Sequence, residues 1–99
     1  MNINVTKDNA TATIAVEGFL NANTATDLEE QVEQAMSDCS NAVFDFSSLE
    51  YISSAGLRVL MVAYKKAAAA GGTVRVEGAC DEVREVFEIT GFSDLFEIS

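Results

Sequence analysis

Histidine, proline and tryptophan are absent from this 99-residue chain. Without histidine, the commonest general base and the commonest nitrogen ligand for metals are both missing. Two cysteines, Cys39 and Cys80, lie far apart without CxxC spacing. They are too few for a zinc site or a disulfide framework and read as free thiols of a reducing cytoplasm. Lysine and arginine total only 6 against 16 Asp and Glu, for a net charge of −10. Phosphate backbones and anionic lipid need clustered cations, so nucleic-acid and membrane-surface roles are excluded first. No run of about 18 apolar residues occurs, and MNINVTKDNA lacks a basic start followed by an apolar stretch, so neither a membrane span nor a cleaved signal peptide is expected. No glycine-rich loop is present to cradle a phosphate. These absences point to a catalytically silent monomer with no cofactor.

What is present is an ordinary globular composition, 48% hydrophobic and 22% charged, long enough for one domain over residues 1–99. The charge is uneven. Residues 1–40 carry seven acids and one base, residues 79–99 six acids and one base, and residues 41–78 three acids and four bases. A protein partner would meet least repulsion at the nearly neutral middle.

Periodicity places the elements. Ile3 and Val5 share one face of a short strand over Asn2–Thr6, and Lys7-Asp8-Asn9 is a turn signal. Ala12, Ile14 and Val16 alternate with Thr11, Thr13, Ala15 and Glu17, which predicts a half-buried strand over Ala10–Glu17, ended by Gly18 and paired with the first as a hairpin. Asn23 and Thr24 suit a helix cap, with Asp27, Glu29 and Glu30 in the first turns. Ala25, Leu28, Val32, Ala35 and Met36 form the stripe of that helix. Ala42–Phe46 reads as a central strand covered on both faces. A helix from about Ala55 to Ala70 turns Leu57, Leu60, Met61, Tyr64 and Ala68 inward, and Gly71-Gly72 stops it. Val74 and Val76 mark a strand over Thr73–Glu77. Asp81–Thr90 is a third helix, with Val83, Val86 and Phe87 inward and Gly91 at its end. Glu97-Ile98 either adds a last short strand or nothing. The order β-β-α-β-α-β-α predicts an α/β domain with a small, mixed, mostly parallel sheet, an N-terminal hairpin and about three helices.

The segment from Asp45 to Leu60 joins a strand to a helix, with Ser53 and Ser54 at the helix start. Capping is the commonest reason for serine there. The helix behind them has a second apolar flank, Ala55, Val59, Val62 and Ala63, with Arg58, Lys65 and Lys66 nearby. Two explanations stand: a contact site beside the hydroxyls, or a flank covered by neighbouring helices.

Tyr51-Ile52-Ser53-Ser54-Ala55-Gly56-Leu57 resembles the signature of STAS domains, in particular bacterial anti-sigma factor antagonists. There an aromatic, an aliphatic, an Asp, the regulatory Ser, a small residue, Gly and Leu run from loop into helix. Val16-Glu17-Gly18-Phe19-Leu20-Asn21 is similar to the family's Gly-x-Leu-Asp segment, and Gly71-Gly72 and Thr90-Gly91-Phe92 with Leu95-Phe96 fit as well. The resemblance implies that Ser54 is phosphorylated by a partner anti-sigma factor, a kinase of the histidine-kinase ATPase type. It also implies that the unmodified chain binds this partner to release a sigma factor, and that a serine phosphatase reverses the modification. Ser53, Ser54, Ala55, Arg58, Val59, Val62 and Asn21 are the expected partner contacts. The chain departs from the family at two positions: Ser53 stands where an Asp usually precedes the regulatory Ser, and Asn21 stands for the Asp of Gly-x-Leu-Asp. Many members also continue into a further helix past the position of Ser99.

Three other readings stand beside this resemblance. A STAS subunit of a lipid-transport or other membrane complex would share the fold and dock on a transporter ATPase. A phosphocysteine carrier needs its Cys after the first strand, where neither Cys39 nor Cys80 lies. An acyl carrier is all-helical, against the strand at Ala10–Glu17.

Overall fold

The computed structural model describes residues 2–99. Its first two strands, β1 (Asn2–Asp8) and β2 (Thr11–Leu20), form the antiparallel hairpin that alternation predicts, with Asp8 opposite Thr11. The strands run longer than their hydrophobic pattern. The turn contracts to Asn9-Ala10, with Asn9 at φ 58°, a left-handed geometry that Asn tolerates better than most residues.

Gly18 does not end β2. It adopts φ 91°, and the strand continues to Leu20. On the edge away from β1, β2 pairs in parallel first with β3 (Asn41–Asp45) and then, from Gly18 onward, with β4 (Leu49–Ile52). Gly18 faces Leu49 and Phe19 faces Tyr51. Glu50 is therefore an inserted residue with no partner, a bulge that breaks the period of two. This interruption hid β4 from the sequence pattern.

Beyond β3 the sheet continues with β5 (Val74–Glu77) and β6 (Glu97–Ile98), both parallel, so the order is β1-β2-β3-β5-β6 with β4 beside β2. The described residues also form four helices: α1 (Ala22–Ala35), α2 (Ser54–Ala69), α3 (Asp81–Thr90) and the short α4 (Phe92–Leu95). Gly91 at φ 82° ends α3 in the expected left-handed cap and leads straight into α4, which the sequence pattern did not suggest.

One core holds the elements together. Ala12, Ile14, Val16 and Leu20 of β2, Ala42 and Phe44 of β3 and Val74 and Val76 of β5 are buried on one face of the sheet, beneath the helices. Phe46 joins Phe44 to Phe87 of α3, and Phe87 stacks on Phe92. The opposite face is open: Thr11, Thr13 and Ala15, Val43 and Asp45, and Arg75 and Glu77 are all only half-buried. The expectation that Ala42–Phe46 is covered on both faces is thus corrected, because every helix packs on the side that Phe44 occupies.

The α1 stripe of Ala25, Leu28, Val32, Ala35 and Met36 is buried as read. Its cap lies earlier than read. Asn21 is the N-cap, its Oδ1 accepting from the Asn23 amide at 3.0 Å and the Thr24 amide at 3.1 Å, while Thr24 Oγ1 accepts from the Asn21 amide at 2.9 Å. This is a capping box with Thr in the third helical position. With the cap moved back, Asp27, Glu29 and Glu30 fall beyond the first turn, which holds no acid.

Candidate functional site

β2 and β4 end side by side, Leu20 facing Ile52, and each strand leads directly into a helix. The Ser53 amide donates to the Leu20 carbonyl at 2.9 Å, tying the start of α2 to the end of β2. The two helix starts, Asn21 and Ser53, are thereby brought together.

The α2 start is set by contact as well as by hydrogen bonds. A Cβ on Gly56 would lie 2.7 Å from Leu20 Cγ and 2.9 Å from Ile52 Cγ1. Only glycine lets the first turn of α2 approach the strand ends this closely.

Ser53 is the N-cap, with extended backbone (φ −98°, ψ 175°), and its Oγ accepts from the Gly56 amide at a long 3.4 Å. Ser54 is the first helical residue; it is exposed, and its hydroxyl makes no hydrogen bond among the described residues. One serine is used by the fold and the next is open to solvent.

The expected contact strip on α2 divides. Arg58 is exposed and Ala55 and Val62 are half-buried, but Val59 is fully buried at 0% exposure, as is Ala63. Val59 is core and cannot touch a partner directly, which corrects its place among the contacts. The inward face predicted for α2 is also rotated: Gly56, Val59, Ala63 and Ala67 join Leu57 and Leu60, while Ala68 is exposed and Met61 and Tyr64 are half-buried. The cause is that α2 packs beside α1 as well as on the sheet. Cover by a neighbouring helix accounts for Val59 and Ala63 of the second apolar flank, while Ala55 and Val62 are left half-buried.

The structure adds two residues that the sequence reading did not place at the site. Phe19 and Tyr51, partners across β2 and β4, are 54% and 49% exposed, with ring centroids 6.3 Å apart. They stand on the open face of the sheet at the same end as the helix starts. The signal was present: Tyr51 is the aromatic of the Ser53-Ser54 motif and Phe19 lies in the Gly18–Asn21 segment. Without β4 the two could not be paired.

At the end of β3, away from the helix starts, one ionisable group departs from its ordinary behaviour. The Asp45 carboxyl is held below 3.8 by the Ser47 hydroxyl, which donates at 2.7 Å, and by the Ser47 amide at 3.1 Å. This turn anchors the loop between β3 and β4. Among the described residues, no group of three or more Cys, Asp or Glu side chains could hold a metal ion, and no helix is long and apolar enough to cross a membrane.

A family model described as "Mlab, STAS domain" matches residues 3–97. The chain belongs to the STAS domain family. BtrV of Bordetella bronchiseptica, named as an anti-sigma factor antagonist, is 33% identical over the whole chain and 86% of its own length. The anti-sigma-B factor antagonist of Bacillus subtilis is 22% identical over 100% of this chain and 91% of its own. The anti-sigma factor antagonist SpoIIAA has the same fold in its unphosphorylated form, with TM-score 0.81, 14% identity, and coverage of 99% of this chain and 87% of SpoIIAA. For its phosphorylated form, a Bacillus cell fate determinant, the values are 0.80, 15%, 99% and 91%. The STAS anti-sigma factor antagonists that the chain is similar to are non-enzymatic regulatory binding proteins.

Proposed function

We propose that this chain is an anti-sigma factor antagonist whose binding is switched at Ser54. Unmodified, it binds an anti-sigma factor that is also a serine kinase of the histidine-kinase ATPase type, and so frees a sigma factor. In the modification step the Ser54 Oγ attacks the γ-phosphorus of ATP held by the partner. The bond to the ADP oxygen breaks, and the hydroxyl proton passes to a base of the kinase. A serine phosphatase returns the hydroxyl by hydrolysis.

The observation that carries the reading is the exposed Ser54 hydroxyl at the first position of α2, unbonded among the described residues, in a chain 33% identical to BtrV. The contact surface comprises Ser53, Ser54 and Ala55, Arg58 and Val62 on α2, Asn21 at the start of α1, and the Phe19–Tyr51 pair. A phosphate adds about −1.5 to −2 charges. At a helix N-terminus the chain tolerates it, whereas a partner packed over Ser54 must desolvate it. A loss of about 3 kcal/mol weakens binding roughly 150-fold, with no refolding of the chain.

The test is incubation with the cognate anti-sigma kinase and ATP, followed by intact mass. One phosphate is expected, lost in Ser54→Ala and kept in Ser53→Ala. Phosphate retained in Ser54→Ala overturns the assignment.

A second reading is a STAS interaction subunit without a phosphorylation switch, in a transporter-associated complex or a signalling scaffold. It is favoured by the neutral Asn21 and Ser53 at the two positions where a carboxylate is usual in this family. Capture of a transporter ATPase by the chain, with no phosphate added by any serine kinase, selects it.

A further inference from the structure

We infer that Arg58 is the intramolecular clamp for a phosphate on Ser54, an inference that rests on the switch proposed above. Ser54 opens α2 and Arg58 follows it by four residues, so the two lie on one helix face about 5–6 Å apart at Cβ. Side chains on a helix lean toward its N-terminus, which carries an arginine back over the turn that Ser54 begins. An anion four residues before a cation is also the favoured order, since it agrees with the helix dipole. The guanidinium fork matches two phosphate oxygens at once.

Little competes for either group. Arg58 is exposed and forms no ion pair among the described residues, where the pairs are Lys7–Asp38 and Arg75–Glu77. Neither α1 nor α2 has an acid in its first turn. The ionisable side chains on the adjoining strand ends are Glu17, Glu50 and Tyr51, all exposed. Lys65 and Lys66 lie about 16 Å or more further along α2. Arg84 is exposed on α3, which packs beside β4, and is the other cation to be weighed.

The clamp gives the switch a second effect. In the unmodified chain the Arg58 fork is open to solvent and available to a partner's acceptors. In the modified chain the phosphate holds it. Phosphorylation thus withdraws a cation from the docking surface as well as placing an anion there.

The test uses the full chain with phosphoserine installed at position 54 by genetic encoding, and reads the second ionisation of the phosphate by phosphorus NMR. That ionisation is expected to lie about 0.2–0.4 of a unit lower in the parent than in Arg58→Gln or Arg58→Ala, as one added i,i+4 ion pair implies. Arg58→Lys should recover part of the difference, and Arg84→Gln should leave the parent value unchanged. Equal values in the parent and both neutral Arg58 variants overturn the clamp, and a shift confined to Arg84→Gln transfers it to α3. Installing the phosphate without a kinase keeps the two ideas separable. Kinase inactivity toward Ser54 would remove the switch and leave this titration as it stands; a flat titration would remove the clamp and leave the switch.

Discussion

Two valines three residues apart on α2 separate the core from the surface. Val59 is fully buried and Val62 half-buried. Val59→Glu places a carboxylate in the core without a partner, a cost of several kcal/mol, and should abolish cooperative thermal unfolding. Val62→Glu should keep a melting temperature within a few degrees of the parent and weaken partner binding. The exposed ring pair makes the complementary case. Phe19→Ala and Tyr51→Ala remove large apolar contact area that the single chain leaves in water, and aromatic anchors of this kind often cost about 2 kcal/mol or more of binding when truncated. Binding of the anti-sigma partner, measured by calorimetry, should fall at least tenfold with each change while the far-UV spectrum is unaltered. The distinction between Val59 and Val62 was not legible in the sequence, because both are apolar and neither position says whether α1 lies alongside. The motif serines were legible, and so was the preference of serine for capping at a helix start; the backbone angles at Ser53 and its bond from the Gly56 amide show that it is the one spent on the cap.

At the level of elements, legibility followed periodicity. The hairpin, the stripe of α1 and the run of α3 to Gly91 all show a clean repeat of 2 or 3.6, and all three are present. The failures occurred where the repeat is short or broken. The Glu50 bulge gives β4 two consecutive exposed residues, α4 is only 4 residues long, and β3 alternates Val43 and Asp45 against its core residues without any helix covering them. The α1 start was misplaced by the abundance of capping residues between Asn21 and Thr24, of which the backbone uses Asn21 as the cap and Thr24 as its reciprocal partner. Removing that cap should therefore matter. Asn21→Ala is expected to cost about 0.5–2 kcal/mol, or roughly 4–8 °C per kcal/mol in a domain of this size. Asn21→Asp keeps an oxygen acceptor at the cap and should hold the parent melting temperature. Thermal scans of the two variants side by side check both statements, and an unaffected Asn21→Ala would mean the box contributes nothing.

Across the whole molecule the net charge of −10 sets the response to acid. Protonating exposed carboxylates first relieves self-repulsion. Asp45 acts in the opposite sense. Its folded-state pKa is depressed, so its contribution is fully present above the unfolded value near 3.8 and is lost as pH falls through the lower folded value. The stability gap between the parent and Asp45→Asn, followed by denaturant unfolding from pH 7 downward, should be constant to about pH 4 and then close. A gap that widens on acidification would have the wrong sign for this hydrogen-bonded carboxylate. The strand arrangement governs a different observable. β2 is bonded to β1 along one edge and to β3 and then β4 along the other, so releasing its amides requires separating three neighbours at once. Amide hydrogens of Thr13–Val16 should accordingly exchange with solvent deuterium only through global unfolding, while those of the two-residue β6 exchange through local fraying, orders of magnitude sooner. β2 leads into the start of α1 and holds the start of α2 through its Leu20 carbonyl, so the most slowly exchanging strand of the sheet also supports the helix turn that carries the Ser54 hydroxyl.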